Sequence, residues 1–108
     1  MNEKICGVYA IKNKMNNKVY IGSSINILNR WKKHENELNR NRHHSEHLQY
    51  AWNKYGKENF EFMILEECSE ENVREREQYY IDYYTSYDAE YGYNISETAN
   101  PFASEVTR

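Results

Sequence analysis

The sequence predicts one small α+β domain, of the broad α/β class, in which a three-stranded antiparallel sheet is flanked by three helices. Three observations carry that expectation. Residues 7–22 alternate apolar and polar side chains on either side of a short polar turn, and residues 59–68 alternate again. Three other segments repeat apolar residues at helical spacing, each behind a serine that suits a helix N-cap. At 108 residues the chain is long enough for one real core and too short for two.

The first hairpin lies in GVYAIKNKMNNKVYIGSSINILNR, Gly7 to Arg30. Val8 and Ala10 fall on one face of its first strand, and Gly7, Tyr9 and Ile11 on the other. In the second strand Val19 and Ile21 oppose Tyr20 and Gly22. A turn near Lys14 to Asn17 joins them antiparallel. Side chains alternate with period two, so a loop of even length puts Tyr9 and Tyr20 on the same face. Arg30 opens the next helix, and two phenols beside a guanidinium are unusual for a packing surface.

Ser23 or Ser24 is expected to cap a first helix running to about Asn39, with Ile27 or Leu28, Trp31 and Leu38 as its apolar stripe. Arg30 and His34, four apart, share a neighbouring stripe. Lys32 and Lys33 ride on this helix and Arg40 and Arg42 follow it; these four cations are candidate contacts to a phosphodiester backbone. After a loop over Arg40 to His44, Ser45 caps a second helix. Leu48, Ala51, Trp52 and Tyr55 face its core and Gly56 ends it.

Asn59 to Cys68 reads as the third strand, with Phe60, Phe62, Ile64 and Glu66 on one face and Glu61, Met63 and Leu65 on the other. Its apolar run predicts a position in the middle of the sheet. Ser69 is expected to cap a third helix from Glu70 to about Tyr84, facing inward with Val73, Tyr80, Ile81 and Tyr84. Glu77 lies on that inward stripe. A glutamate on a buried face is paired or coordinating, so Glu77 either meets an arginine such as Arg30 or Arg74 or binds a divalent cation. Gly92 to Ile95 reads as a short terminal strand or turn.

Composition narrows the class. Hydrophobic residues make up only 39%, but Tyr 11, Trp 2 and Phe 3 supply bulk for a folded core. Cys6 and Cys68 lack metal-ligand spacing and read as two buried thiols rather than a disulfide. His43, His44 and His47 cluster without a fourth ligand, which argues against zinc. No signal peptide or membrane span is evident, so a cytoplasmic protein is expected. The net charge of −3 conceals an asymmetry: residues 1–60 carry +6 and residues 61–108 carry −9. One basic face on an acidic protein is compatible with that distribution.

Gly7-Val8-Tyr9, ten residues, Tyr20-Ile21-Gly22 and then Arg30 eight residues on resemble the GIY-YIG nucleases. Val8 departs mildly from the family's isoleucine. The later residues extend the match: His43 lies five before Leu48-Gln49, Glu77 lies a turn before Tyr80-Ile81, and Gly92-Tyr93-Asn94-Ile95 closes the segment. The resemblance implies the GIY-YIG nuclease fold, with residues 1–95 as a catalytic domain and 96–108 as a tail or the start of a linker. It implies DNA as partner and metal-dependent phosphodiester hydrolysis. The implied cofactor is one Mg²⁺ held by Glu77, with Mn²⁺ as substitute.

The implied catalytic set is Tyr9, Tyr20, Arg30, His34, His43, Glu77 and Asn94, with His44 as the alternative to His43. Tyr9 is preferred as base, Tyr20 as the group that orients water or phosphate, and His43 or His34 as proton relay. The motifs look most like homing enzymes of phages and mobile introns, which join this domain to a separate DNA-recognition domain. Targeting would then come from such a domain or from oligomerisation. Two rivals keep the fold without the chemistry. One is an inactive nucleic-acid-binding module, and the other an interaction domain using the tyrosine-rich end, Tyr79 to Tyr93.

Overall fold

β1 (Gly7–Asn13) is the middle strand of the sheet and is buried along almost its whole length. β2 (Val19–Ser24) pairs antiparallel along one side, with Tyr9 opposite Gly22 and Ile11 opposite Tyr20. β3 (Phe60–Glu67) pairs antiparallel along the other, so the order is β2-β1-β3. The structure, a computed structural model, describes residues 4–99. The expected tail from residue 100 onward lies outside the described residues.

The apolar run of β3 predicted a central strand, and the structure corrects this. β3 is an edge strand with Ile64 exposed. β1 takes the centre because it supplies both layers, Val8 and Ala10 on one face and Tyr9 and Ile11 on the other. A second correction concerns Glu66. The β1–β3 register shifts so that Tyr9 faces Ile64 while Val8 faces Glu66. The extra residue, Leu65, is a β-bulge, and it turns Glu66 away from the face of Phe60, Phe62 and Ile64. There Glu66 accepts hydrogen bonds from Arg76 Nε and the Tyr80 hydroxyl, both at 3.0 Å.

Two helices cover the tyrosine face. α1 (Ile27–Asn39) buries Ile27, His34 and Leu38 and leaves Leu28 exposed. Its cap is Asn26, whose side chain accepts from the Asn29 N–H; Ser23 and Ser24, the expected caps, end β2 instead. α2 (Glu46–Tyr55) is capped by Ser45 as expected and buries Leu48, Ala51 and Trp52. These side chains close a core with Tyr9, Ile11, Tyr20, Phe60 and Tyr93. Each fully buried aliphatic there contributes about 1.5–3 kcal/mol.

α3 (Val73–Tyr84) covers the opposite face, packing Ile81 against Val8, Ala10, Val19 and Ile21. It begins three residues later than the serine cap predicted. Ser69 Oγ accepts from the Asn72 side-chain amide at 3.1 Å, so residues 70–72 form a turn before the helix. Cys6 and Cys68 are free and half-buried, joined only by a backbone hydrogen bond from Cys68 N to Cys6 O. Among the described residues no helix is long and apolar enough to cross a membrane.

The outer edge of β2 is covered rather than open. Tyr93 N donates to Val19 O at 2.9 Å, and Gly92 forms a single parallel bridge with Val19. Beyond it, the Asn94 side chain replaces a strand: its Oδ1 accepts from Ile21 N at 2.8 Å and its Nδ2 donates to Ile21 O at 2.9 Å. An edge paired in this way is protected from other chains and held in one register. The same contacts set the position of Tyr20, the residue before Ile21.

Candidate active site

Strand pairing puts the two phenols on one face, as the alternation predicts, and both belong to the same core layer. Tyr9 lies across Gly22. A Cβ at Gly22 would sit 2.5 Å from Tyr9 Cζ and Oη, so the glycine exists to admit the ring. At Gly7 a Cβ would collide with the Glu66 carbonyl oxygen at the bulge. Both motif glycines are therefore explained by close approach.

α1 places His34 over this face, 3% exposed. His34 Nε2 lies 2.6 Å from Tyr9 Oη, and His34 Nδ1 lies 2.7 Å from His43 Nε2. His43 Nδ1 in turn accepts from the Ser45 backbone N–H at 3.0 Å. Tyr20 has its own imidazole, His44 Nε2 at 2.9 Å. His43 and His44 were alternatives on sequence; the loop turns His43 to His34, which bonds Tyr9, and His44 to Tyr20. The rings of His34, His43 and His44 lie side by side, with centroids 4.9 Å apart for His34 and His43 and 4.4 Å for His43 and His44, and Tyr20 stands edge-on to all three.

Burial dominates the electrostatics. It pushes both phenols above their ordinary range, against a lowering influence from Arg30. For Tyr9 that influence includes a hydrogen bond from the guanidinium. Burial also drives His34 well below 6.5 and His43 to about 4, so both imidazoles are neutral at pH 7. Arg30 acts on Tyr9, Tyr20, His34, His44 and Glu77 together, and is the charge common to the site.

Glu77 turns inward from α3 and is 4% exposed. Its Oε1 accepts from Ser23 Oγ at 2.6 Å. Burial raises its pKa to about 7, opposed by the Ser23 hydrogen bond and by the charges of Arg30 and Arg74. Ser23 shares a face of β2 with Val19 and Ile21, so Glu77 approaches from the side opposite the phenols. The two sides meet around the β2 edge in a pocket of about 300 Å³, where Tyr20, His44, Glu77 and Asn94 all contribute lining. Tyr9, 1% exposed, is not among the residues that line it.

The four cations proposed to contact DNA are all exposed. Lys33 is near enough to act on His34 and His44. Lys32 lines a separate groove with Leu28, Trp31 and Phe62, while Arg40 and Arg42 lie at the C-terminal end of α1.

His47 points elsewhere, into a pocket with Lys18 and Tyr50. His34, Glu37 and His43 do bring ligand-type atoms within 4.8 Å of one another. Zinc at about 2.0–2.1 Å from two imidazole nitrogens in tetrahedral geometry holds them roughly 3.3 Å apart. The observed 2.7 Å is a hydrogen bond, with a proton between the rings. Sequence reasoning missed Ser23, Ser45 and Gln49 as parts of the site. Gln49 Oε1 accepts from His43 N at 3.0 Å, fixing the loop that carries both histidines.

Comparison with known proteins shows what the chain and its fold are similar to. Intron-associated endonuclease 1 of Enterobacteria phage T4 is 43% identical over 93 residues, which cover 84% of this chain and 37% of that protein. This chain thus spans little more than a third of its curated relative. The catalytic domain of the homing endonuclease I-TevI superposes with a TM-score of 0.77 at 41% identity, covering 84% of this chain and 98% of that one. A mutant of the same catalytic domain gives 0.79 at 39% identity, covering 88% and 97%. Residues 5–94 match the family described as the GIY-YIG catalytic domain, and the chain belongs to that family of endonucleases.

Proposed function

We propose that this chain is the catalytic domain of a homing-type DNA endonuclease that hydrolyses phosphodiester bonds with one divalent cation, Mg²⁺, for which Mn²⁺ substitutes. The observation that carries the proposal is the meeting, around one strand edge, of the Tyr20 phenol and the buried Glu77 carboxylate in one pocket, with the charge of Arg30 acting on both and on Tyr9. Glu77 fits a hard cation. It is the one acidic side chain lining the pocket among the described residues, and a bound positive charge relieves the burial that raises its pKa. One carboxylate, several waters and a substrate phosphate suit Mg²⁺, which dehydrates reluctantly. When bound, the ion supplies Lewis-acid stabilisation of charge on the phosphate.

The chain's own groups do the rest. Arg30 balances the charge that builds on the non-bridging oxygens. Tyr20, on the pocket wall, orients water or phosphate. Tyr9 is the base: burial holds its phenol above the ordinary range, Arg30 opposes this by charge and by hydrogen bond, and the phenol proton has to leave to solvent before the reaction. As the water oxygen bonds to phosphorus, its proton passes to the Tyr9 phenolate, and the ester oxygen leaves with the bonding pair. Asn94 holds β2, and with it Tyr20, in register.

DNA is the proposed partner, with Lys32, Lys33, Arg40 and Arg42 on its backbone and a cytoplasmic setting. A net charge of −3 gives the domain weak DNA affinity of its own. Targeting then falls to a separate recognition domain or to oligomerisation, and the greater length of the phage relative supports the former. The test is nicking of supercoiled plasmid with Mg²⁺ or with EDTA, beside Glu77→Ala. Nicking that needs Mg²⁺ and disappears in a folded Glu77→Ala supports the reading. An inactive parent, or an undiminished variant, overturns it.

A further inference from the structure

The buried chain behind Tyr9 has a direction that distances alone do not reveal. An amide N–H can only donate, so the bond from Ser45 N makes His43 Nδ1 an acceptor. A neutral His43 then carries its proton on Nε2, and donates it toward His34 Nδ1. His34 Nδ1 is thereby an acceptor, and a neutral His34 carries its proton on Nε2, facing Tyr9 Oη. Every link lies among buried side chains, where water cannot supply an alternative partner.

We propose that the backbone N–H of Ser45 sets the polarity of this chain and so makes His34 a hydrogen-bond donor to Tyr9 rather than the acceptor of its proton. His43 and His34 are positioning residues. The reverse arrangement would put a proton on His43 Nδ1 facing the Ser45 N–H, two donors nose to nose in a buried place. With Arg30 as the second donor, Tyr9 Oη receives two N–H groups, which is the setting that stabilises a phenolate. The loop is built to hold this polarity. Ser45 Oγ donates to Tyr93 O at 2.7 Å, and Gln49 Oε1 accepts from His43 N. The consequence for catalysis rests on Tyr9 acting as base; the polarity itself does not.

The test is the tautomeric state of each imidazole in the ¹⁵N-labelled 108-residue chain, read from long-range ¹H–¹⁵N correlations near pH 7. The expected result is a neutral Nε2–H form for both His34 and His43. An Nδ1 proton on either ring overturns the proposal without reference to activity.

Variants at position 43 supply the kinetic arm. His43→Gln can place an amide N–H where Nε2 stood, and is expected to keep the His34 tautomer and a kcat within about tenfold of the parent. His43→Glu places an acceptor there, and is expected to move the His34 proton to Nδ1 and lower kcat by about a hundredfold or more, with KM little changed. Equal losses in both variants would overturn the link from polarity to catalysis. If either variant fails to fold, the tautomers of the parent decide. The expected tautomers in a chain that nicks no plasmid would leave the polarity standing and remove the nuclease reading instead.

Discussion

Glu77 and Tyr20 reach the same pocket from opposite faces of β2. The carboxylate arrives beneath the strand, where Ser23 meets it at 2.6 Å, and the phenol stands above, 2.9 Å from His44. A site wrapped around an edge strand depends on how that edge is held and on what meets the carboxylate.

Ser23 is the first test of this arrangement. Its hydroxyl donates to the oxygen pair proposed to hold the cation, and it opposes the burial that raises the Glu77 pKa. Ser23→Ala should leave the fold intact and raise the Mg²⁺ concentration for half-maximal nicking by about 10–100-fold, the usual cost of losing such a supporting contact. A metal titration of nicking rate checks this, and an unchanged midpoint would separate Ser23 from the metal site.

Stability should depend on pH from two opposed directions. The Glu77 pKa is raised from 4.5 to about 7, so its contribution is fully present below 4.5 and is lost as pH rises through 7. The His43 pKa is lowered from 6.5 to about 4, so its contribution is present above 6.5 and is lost as pH falls through 4; His34 and His44 are lowered too. In EDTA, stability should therefore peak near about pH 6.5. Glu77→Gln should remove the alkaline decline and leave the acidic one. Denaturant melts from pH 5 to 9 would show both limbs, or their absence.

Period-two alternation suffices to place Tyr9 and Tyr20 together, and the helical stripe suffices to turn Glu77 inward. These patterns are local, and each survives whatever the rest of the chain does. The bulge at Leu65 is not local: it belongs to the pairing of β3 with β1, and it reverses Glu66 without a glycine or proline to announce it. Ser23 shows a different limit. A serine before a helix resembles a cap, and only the tertiary fold reveals that its hydroxyl faces α3. Choosing between His43 and His44 by register assumes a single functional ring, whereas the loop directs one to His34 and the other to Tyr20.

Asn94 should combine a structural and a catalytic cost. Its amide makes two hydrogen bonds to the backbone of Ile21, one as acceptor and one as donor. Asn94→Ala should lower stability by about 1–3 kcal/mol and reduce nicking, because Tyr20 is attached to the released strand. Asn94→Asp, nearly the same shape, keeps the acceptor but sets a carboxylate oxygen against Ile21 O, and should do no better. Thermal melts beside nicking rates test the pair; an Asp variant equal to the parent would mean that the donor bond contributes nothing.

Gly22 separates packing from chemistry most cleanly. A methyl group there would lie 2.5 Å from the Tyr9 hydroxyl, so either the ring or the strand must move. The ring has little freedom, being wedged edge-on against Trp31 and bonded to His34. Gly22→Ala should therefore cost about 1–3 kcal/mol of stability, the usual range for overpacking, and should displace the Tyr9 oxygen from His34. Nicking should fall steeply. The Mg²⁺ requirement should stay near that of the parent, because Glu77 and Ser23 meet on the other face of β2. A variant that nicks normally would show that the Tyr9–His34 contact does not matter for turnover, while a large shift in metal requirement would show that the two faces are coupled.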